Sequence, residues 1–284
     1  MNFLEYFGMV EQPFSNAPVS RFYYNSRQHA EALTRLMYGA YSMKGLSLLT
    51  GTIGSGKTTI ARRMIDSLPE DKFEAALLVI VHSEIEAGWL LRRIALQLGV
   101  SSPSDEKLTL LGQLYQRLVQ IYEEGKKAVV LIDEAQMLRN SDVMSEFRGL
   151  LNLEVPEQKL ISLAFFGLPE MEQNIRLDPP LAQRVALRVK MEPFDLESTE
   201  SYIKHRLRLA GAKRMYFSPE SIECIYSASR GIPRVVNTIC DNALFEAFLR
   251  RTPLIQKELI ERVRDNLDIL ITAVDLPSAG EWQG

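Results

Sequence analysis

Cysteine is nearly absent from the 284 residues, with only Cys224 and Cys240 and no CxxC pair. Two thiols cannot make a disulfide framework, so a reducing cytoplasm is the expected compartment, with both side chains filling core space. Histidine is as scarce. His29, His82 and His205 stand at no metal-ligand spacing from cysteine or carboxylates, and no zinc site is expected. No stretch approaches the roughly 18 consecutive apolar residues that a membrane span needs. Met1-Asn2-Phe3-Leu4-Glu5 has no basic segment leading into an apolar run, so the chain reads as soluble and untargeted. An excess of positive charge is also missing: 33 Lys and Arg face 36 Asp and Glu, a net −3. That balance argues against holding nucleic acid through bulk charge and leaves only a local basic face open.

What is present is an ordinary globular composition, 46% hydrophobic and 24% charged, long enough for one large domain or two modest ones. Short apolar runs alternate with 3.6-period stretches, the pattern of βα units in a parallel sheet. Strands are expected at Ser47 to Thr50, Ala75 to His82, Ala128 to Ile132, Leu160 to Phe166 and Ala186 to Met191. Helical patterns run from Trp89 to Leu98 and from Leu108 to Glu124. After Pro193 the strand signals stop. Three helices are expected there, at Ser198 to Gly211, Ser218 to Leu249 with a break at Gly231-Ile232-Pro233, and Gln256 to Leu270. The sequence therefore divides into an N-terminal segment (1–44), an α/β domain on a five-stranded parallel sheet (45–195), a small all-helical lid (196–272) and an aperiodic tail (273–284).

Gly51-Thr52-Ile53-Gly54-Ser55-Gly56-Lys57-Thr58 fits the G-x-x-x-x-G-K-[ST] pattern, between an expected strand and an expected helix. In that context it is a P-loop. Glycines let successive N–H groups converge on phosphate at a helix N-terminus, Lys57 reaches the β and γ phosphates, and the Thr58 hydroxyl, with Thr59 beside it, faces a Mg²⁺ ion. Ala128 to Ile132 then delivers Asp133 and Glu134 to a sheet's carboxyl edge, where ligands bind in open α/β folds. Asp133 suits Mg²⁺ and Glu134 suits the base that polarises an attacking water. Asp133-Glu134-Ala135-Gln136 also reads as a helicase box, but one P-loop sheet with a short helical lid leaves no room for a second motor lobe.

A P-loop, an Asp-Glu strand end and a helical C-terminal lid resemble an AAA+ ATPase. Further residues resemble the ExeA/GspA/MshM-like group of general secretion and pilus-associated ATPases: Tyr6-Phe7-Gly8-Met9-Val10-Glu11-Gln12-Pro13-Phe14, Arg21-Phe22-Tyr23-Tyr24, Phe166-Gly167-Leu168-Pro169-Glu170 and Gly231-Ile232-Pro233-Arg234. The resemblance spans about residues 3 to 270. It implies Mg-ATP binding and hydrolysis to ADP, and a ring or filament in which a neighbour completes the site. Arg184 takes the arginine-finger position, with Arg188 in reserve, and Arg234 takes the sensor-2 position. Polar sensor 1 is expected just past Gly167, and Leu168 departs from it.

Tyr23, Tyr24, Met37 and Tyr38 precede the first strand, where the superfamily lays the adenine; they stack on it or pack the N-terminal segment, as Phe7 and Phe14 do. Lys204, His205, Arg206, Arg208, Lys213, Arg214 and Arg250-Arg251 form a basic run that is either a solvated face or a grip for duplex DNA. The leading expectation is an ATPase that oligomerises with nucleotide and acts on a secretion or type IV pilus assembly partner. Such ATPases often continue into a membrane span and a peptidoglycan-binding domain, so the chain is expected to be a cytoplasmic domain of a longer protein, associated with the inner membrane, or a stand-alone relative. Two alternatives stand beside it: a transposition regulator of the TniB/TnsC/MuB kind forming filaments on duplex DNA, and a low-turnover switch gated by nucleotide.

Overall fold

Lys127–Asp133 (β3) and Ile161–Gly167 (β6) are buried almost from end to end, a state that a strand reaches when helices cover both faces of its sheet. In the computed structural model, which describes residues 2–16, 20–156 and 158–267, they are the inner strands of a parallel sheet. Leu46–Gly51 (β1), Phe73–Val79 (β2) and Val185–Met191 (β7) complete it in the order β2-β3-β6-β1-β7. β6 thus stands between the P-loop strand and the acidic strand, pairing Leu48 with Phe165 on one side and Val130 with Leu163 on the other. The five strands fall within a few residues of their expected places. β2 is the exception: it stops at Val79, and Ile80 makes one further N–H bond, to the Asp133 carbonyl at 3.0 Å. Val79 and Val81 are exposed at this sheet edge, so the apolar pattern that extended the expected strand to His82 does not mark burial. A two-residue hairpin, Glu154–Val155 (β4) with Gln158–Lys159 (β5), lies outside the sheet.

The described residues divide into two compact units with separate apolar cores. One comprises Asn25–Gly51 and Gly56–Met191 and holds the sheet. Its helices are Arg27–Tyr41 (α2), Lys57–Ser67 (α3), Ala87–Gln97 (α4), Lys107–Glu123 (α5), Ser141–Leu150 (α6) and the short Met171–Ile175 (α7) and Pro179–Ala182 (α8). Phe147 on α6 packs edge-on against Phe165 of β6, their centroids 4.7 Å apart, and Leu90, Leu91 and Ile94 of α4 are fully buried.

The other unit takes the described residues of Met1–Tyr24, Thr52–Ser55 and Glu192–Gly284. The first 44 residues are therefore not one segment: the part before Asn25 belongs with the C-terminal helices, and α2 belongs with the sheet. Phe3–Phe7 (α1) opens on a capping box between Asn2 and Glu5. Leu196–Leu209 (α9), Pro219–Ser229 (α10), Pro233–Leu249 (α11) and Lys257–Asn266 (α12) follow, so the expected second helix is two, separated at the expected break. Phe7 is buried edge-on against Tyr216 at 5.0 Å, and Phe14 packs on Phe217. The expected tail, 273–284, and the last residues of the expected final helix lie outside the described residues.

Arg206 departs most from its expected setting. It is 6% exposed; its guanidinium donates to the Pro13 and Ser15 carbonyls and to the Tyr202 hydroxyl, and lies 4.5 Å from the Phe22 ring centroid. His205 bonds the Tyr23 carbonyl at 3.1 Å, and Lys204 pairs with Glu200. The basic run is therefore not one continuous solvent-facing cluster.

Gly231 makes the turn between α10 and α11 with φ +73, and a Cβ there would stand 1.8 Å from the Phe194 carbonyl oxygen, whose own N–H donates to Gly231. Gly231→Ala should destabilise this unit by about 2 kcal/mol or more, read as a lower urea midpoint; an unchanged midpoint would mean the turn relaxes freely.

Candidate functional site

The P-loop follows β1 directly. Gly54 and Gly56 adopt φ +80 and +99, backbone settings that side chains resist, and a Cβ on Gly56 would come within 2.9 Å of His29 Nε2. Gly51 is buried at the strand end, Thr52 is half-buried, and Ile53 at the loop tip is 59% exposed. α3 then starts at Lys57, and its first intrahelical donation is Ile60 N–H to the Gly56 carbonyl at 3.0 Å. The N–H groups of its first turn, at Lys57, Thr58 and Thr59, thus have no intrahelical acceptor, as at any helix start. Lys57 is buried with its ammonium 3.0 Å from the Gly51 carbonyl.

Asp133 ends β3 at 2% exposure. Burial pushes its carboxyl above the usual carboxylate range, while a hydrogen bond from the Thr58 hydroxyl, the Glu134 N–H at 3.0 Å and the charge of Lys57 pull the other way. Glu134 sits in the left-handed region, φ +55, rare for a residue with a side chain. Its carboxylate accepts from Gln136 Nε2 at 2.6 Å, and Gln136 Oε1 accepts from the Leu168 N–H at 3.1 Å, beyond β6. Lys57, Thr58, Asp133 and Glu134 thus stand at the carboxyl edge of one sheet, and Gln136, to which sequence spacing gave no role, ties Glu134 to the end of β6.

Phosphate and Mg²⁺ both fit these residues. The Ser55 hydroxyl is buried with no hydrogen-bond partner among the described residues, the Gly56 backbone leaves no room for a side chain, and Lys57 supplies buried positive charge. Thr58 and Asp133 offer the hard oxygen donors that Mg²⁺ takes.

The other expected residues stand elsewhere. Arg184 precedes β7 and lines a groove of about 390 Å³ with Lys44, Gly45, Leu151, Lys159, Gln183 and Ala186, at the amino edge of the sheet. Arg188 is exposed on β7. Arg234, in the first turn of α11, is exposed; its N–H lies 3.4 Å from the Gly54 carbonyl, and a Cβ on Gly54 would meet its side chain at 2.7 Å. Tyr23 is half-buried with its carbonyl bonded to His205, and Tyr24 packs edge-on against Phe194 and Tyr202. Tyr38 is exposed under the Lys44 ammonium, 5.7 Å from its ring, just before β1 begins; this is the sheet edge opposite the P-loop, so of its two expected settings the one beside the phosphate loop is not the one it occupies.

His29 was expected only as a residue without a metal. It lies buried against Gly56, with Nδ1 2.6 Å from the Ser26 hydroxyl that also caps α2, and burial lowers its pKa to about 4. Above pH 6.5 neither folded nor unfolded chain protonates it. Between 6.5 and about 4 only the unfolded chain takes the proton, so acid should progressively destabilise the protein over that window, by at most about 3 kcal/mol. Urea unfolding at pH 7, 5.5 and 4.5 should show that loss, and His29→Gln should flatten it; an equal slope in the variant would assign the titration to another group.

The AAA domain pattern matches residues 40–175. The chain is 37% identical over 251 residues to General secretion pathway protein A of Aeromonas hydrophila, covering 87% of this chain and 45% of that protein, so it spans less than half the length of that relative. Among solved structures, Cdc6p from Pyrobaculum aerophilum superposes with a TM-score of 0.69 at 18% identity, covering 93% of this chain and 72% of its own. The RuvB Holliday junction branch migration motor of Thermotoga maritima gives 0.57 at 16% identity, covering 86% and 70%. These two likenesses concern the fold. Among the described residues, no helix is long and apolar enough to cross a membrane.

Proposed function

This chain carries an AAA domain on the AAA+ P-loop NTPase fold, and on that premise we propose that it is a Mg-ATP-dependent ATPase whose site is completed by a second copy of itself. The placement of the P-loop directly after β1 and of the buried Asp133 at the end of β3 carries this reading, because in a parallel sheet both strand ends lie at one carboxyl edge. The Gly51–Gly56 backbone, Lys57 and Thr59 would hold the phosphates. Thr58 and Asp133 would hold Mg²⁺, which when bound neutralises phosphate charge. Glu134 takes a proton from water as the water oxygen bonds to the γ-phosphorus and the bond to the β–γ bridging oxygen breaks, releasing ADP and phosphate.

Arg184 completes a site only in trans. β1 and β7 are parallel neighbours with Leu46 opposite Val185 and Gly51 opposite Met191. Arg184 therefore stands a full strand length, roughly 20 Å, from the P-loop of its own sheet. Arg234 is assigned the sensor that reports the γ-phosphate, supported by its backbone contact with Gly54. Tyr23 keeps its proposed place near the adenine by resemblance alone.

The relative named General secretion pathway protein A supports a secretion partner; by the family resemblance we assign a secretion or pilus assembly protein, with this chain working at the cytoplasmic side of the inner membrane. Duplex DNA is less favoured, because Arg206 of the basic run is held inside its unit. Turnover rather than mere switching is supported by Gln136, a polar group present where Leu168 supplies none.

Glu134→Gln should keep ATP affinity within about twofold and lose hydrolysis by about 100-fold or more, measured by isothermal titration and phosphate release; parental turnover would remove Glu134 as the base. Arg184→Ala should also be inactive alone. Mixed with Glu134→Gln subunits, which still donate Arg184, it should recover hydrolysis above either variant, whereas a mixture as inactive as its components would place Arg184 outside the trans site.

A further inference from the structure

β6 ends at Gly167, and the next side chain, Leu168, has no polar atom to offer the site beside it. What that strand end does offer is a backbone N–H, and Gln136 takes it. Gln136 is 7% exposed and fixed at three points: Oε1 accepts from the Leu168 N–H at 3.1 Å, Nε2 donates to Glu134 at 2.6 Å, and its main-chain carbonyl accepts from Asn174 Nδ2 at 2.8 Å. The amide has only one orientation that satisfies both ends, since a backbone N–H can only donate and a carboxylate only accept. Gly167 makes the approach available, because a Cβ there would stand 2.8 Å from Gln136 Oε1 and 3.1 Å from its backbone nitrogen.

We propose that Gln136 is the positioning residue for Glu134: it ties the carboxylate to the end of β6 and supplies, from the acidic strand's own turn, the polar group that residue 168 lacks. The inference rests on the reading of Glu134 as the base. Glu134 follows its strand with φ +55, and the bond from Gln136 Nε2 at 2.6 Å fixes the direction of its carboxylate. Orientation of a base matters because proton transfer falls steeply once the carboxylate leaves hydrogen-bond reach of the water.

The test uses the full chain and ATP with Mg²⁺. Gln136→Met keeps the length and removes both hydrogen bonds; it should lower kcat about tenfold or more while leaving KM for ATP within about twofold. Gln136→Glu is nearly isosteric and guards against a simple packing defect. As a carboxylate it repels Glu134 and cannot donate, so it should be slow at pH 8, and its rate relative to the parent should rise toward pH 6 as the acid gains its proton. Gln136→Met on top of Glu134→Gln should cost nothing more, since Gln136 acts through Glu134. Parental kcat in Gln136→Met, a change confined to KM, a pH-independent ratio for Gln136→Glu, or a full extra loss in the double variant would each overturn the assignment. If the parent does not hydrolyse ATP, or Glu134→Gln hydrolyses it unchanged, the base assignment itself fails and this inference falls with it, an outcome distinct from the other four.

Discussion

Asp133 is a carboxylate taken out of water at the end of a strand buried on both faces, and the site is arranged around keeping it there. Burial by itself raises such a group's pKa. The Thr58 hydroxyl, the Glu134 N–H and the Lys57 charge oppose that, and they come from two structural commitments: the P-loop where it enters the first turn of α3, and the left-handed backbone step after β3. The sheet order then matters, because β6 separates β1 from β3 and brings its own end, Leu168, within reach of Gln136.

The helical unit depends in the same way on one buried charge. Arg206 gives its guanidinium to carbonyls at Pro13 and Ser15 and lies against Phe22, so the chain's first residues are organised by a residue of α9. The turn and loop backbone at 13–15 lies outside any helix or strand ladder, and a buried guanidinium with five donors can serve several of its carbonyls at once. This is why residues before Asn25 share a core with Phe194, Tyr202 and Tyr216, and α2 does not.

Several parts of this arrangement could be read directly from the chain. The inner strands β1, β3 and β6 were legible because a strand covered on both faces must be apolar throughout, and the edge strand β7 because buried Val185, Val189 and Met191 alternate with exposed Ala186, Arg188 and Lys190; the edge strand β2 was overextended, since Val79 and Val81 carry an apolar pattern while facing solvent. The G-x-x-x-x-G-K-[ST] run and Asp133-Glu134 could be picked out because each is a short, local set of residue types, and the structure puts them at the carboxyl edge of one sheet. The helix α2 was not: its buried positions, His29, Ala32, Leu36, Gly39 and Ala40, include a histidine and three small residues, a weak apolar signal. Arg206 was misleading for the opposite reason, since charge in a sequence reads as surface.

Sequence alone therefore determined the parallel α/β sheet, the phosphate loop at its edge, the acidic pair and the helical character of the C-terminal part, because each is written in neighbouring residues. Only the tertiary structure decided that Gln136 spans from Glu134 to Leu168, that His29 lies against Gly56, and that Arg184 stands at the far edge of its own sheet. Those pairings join residues brought together by strand order and helix packing, and no local spacing encodes them.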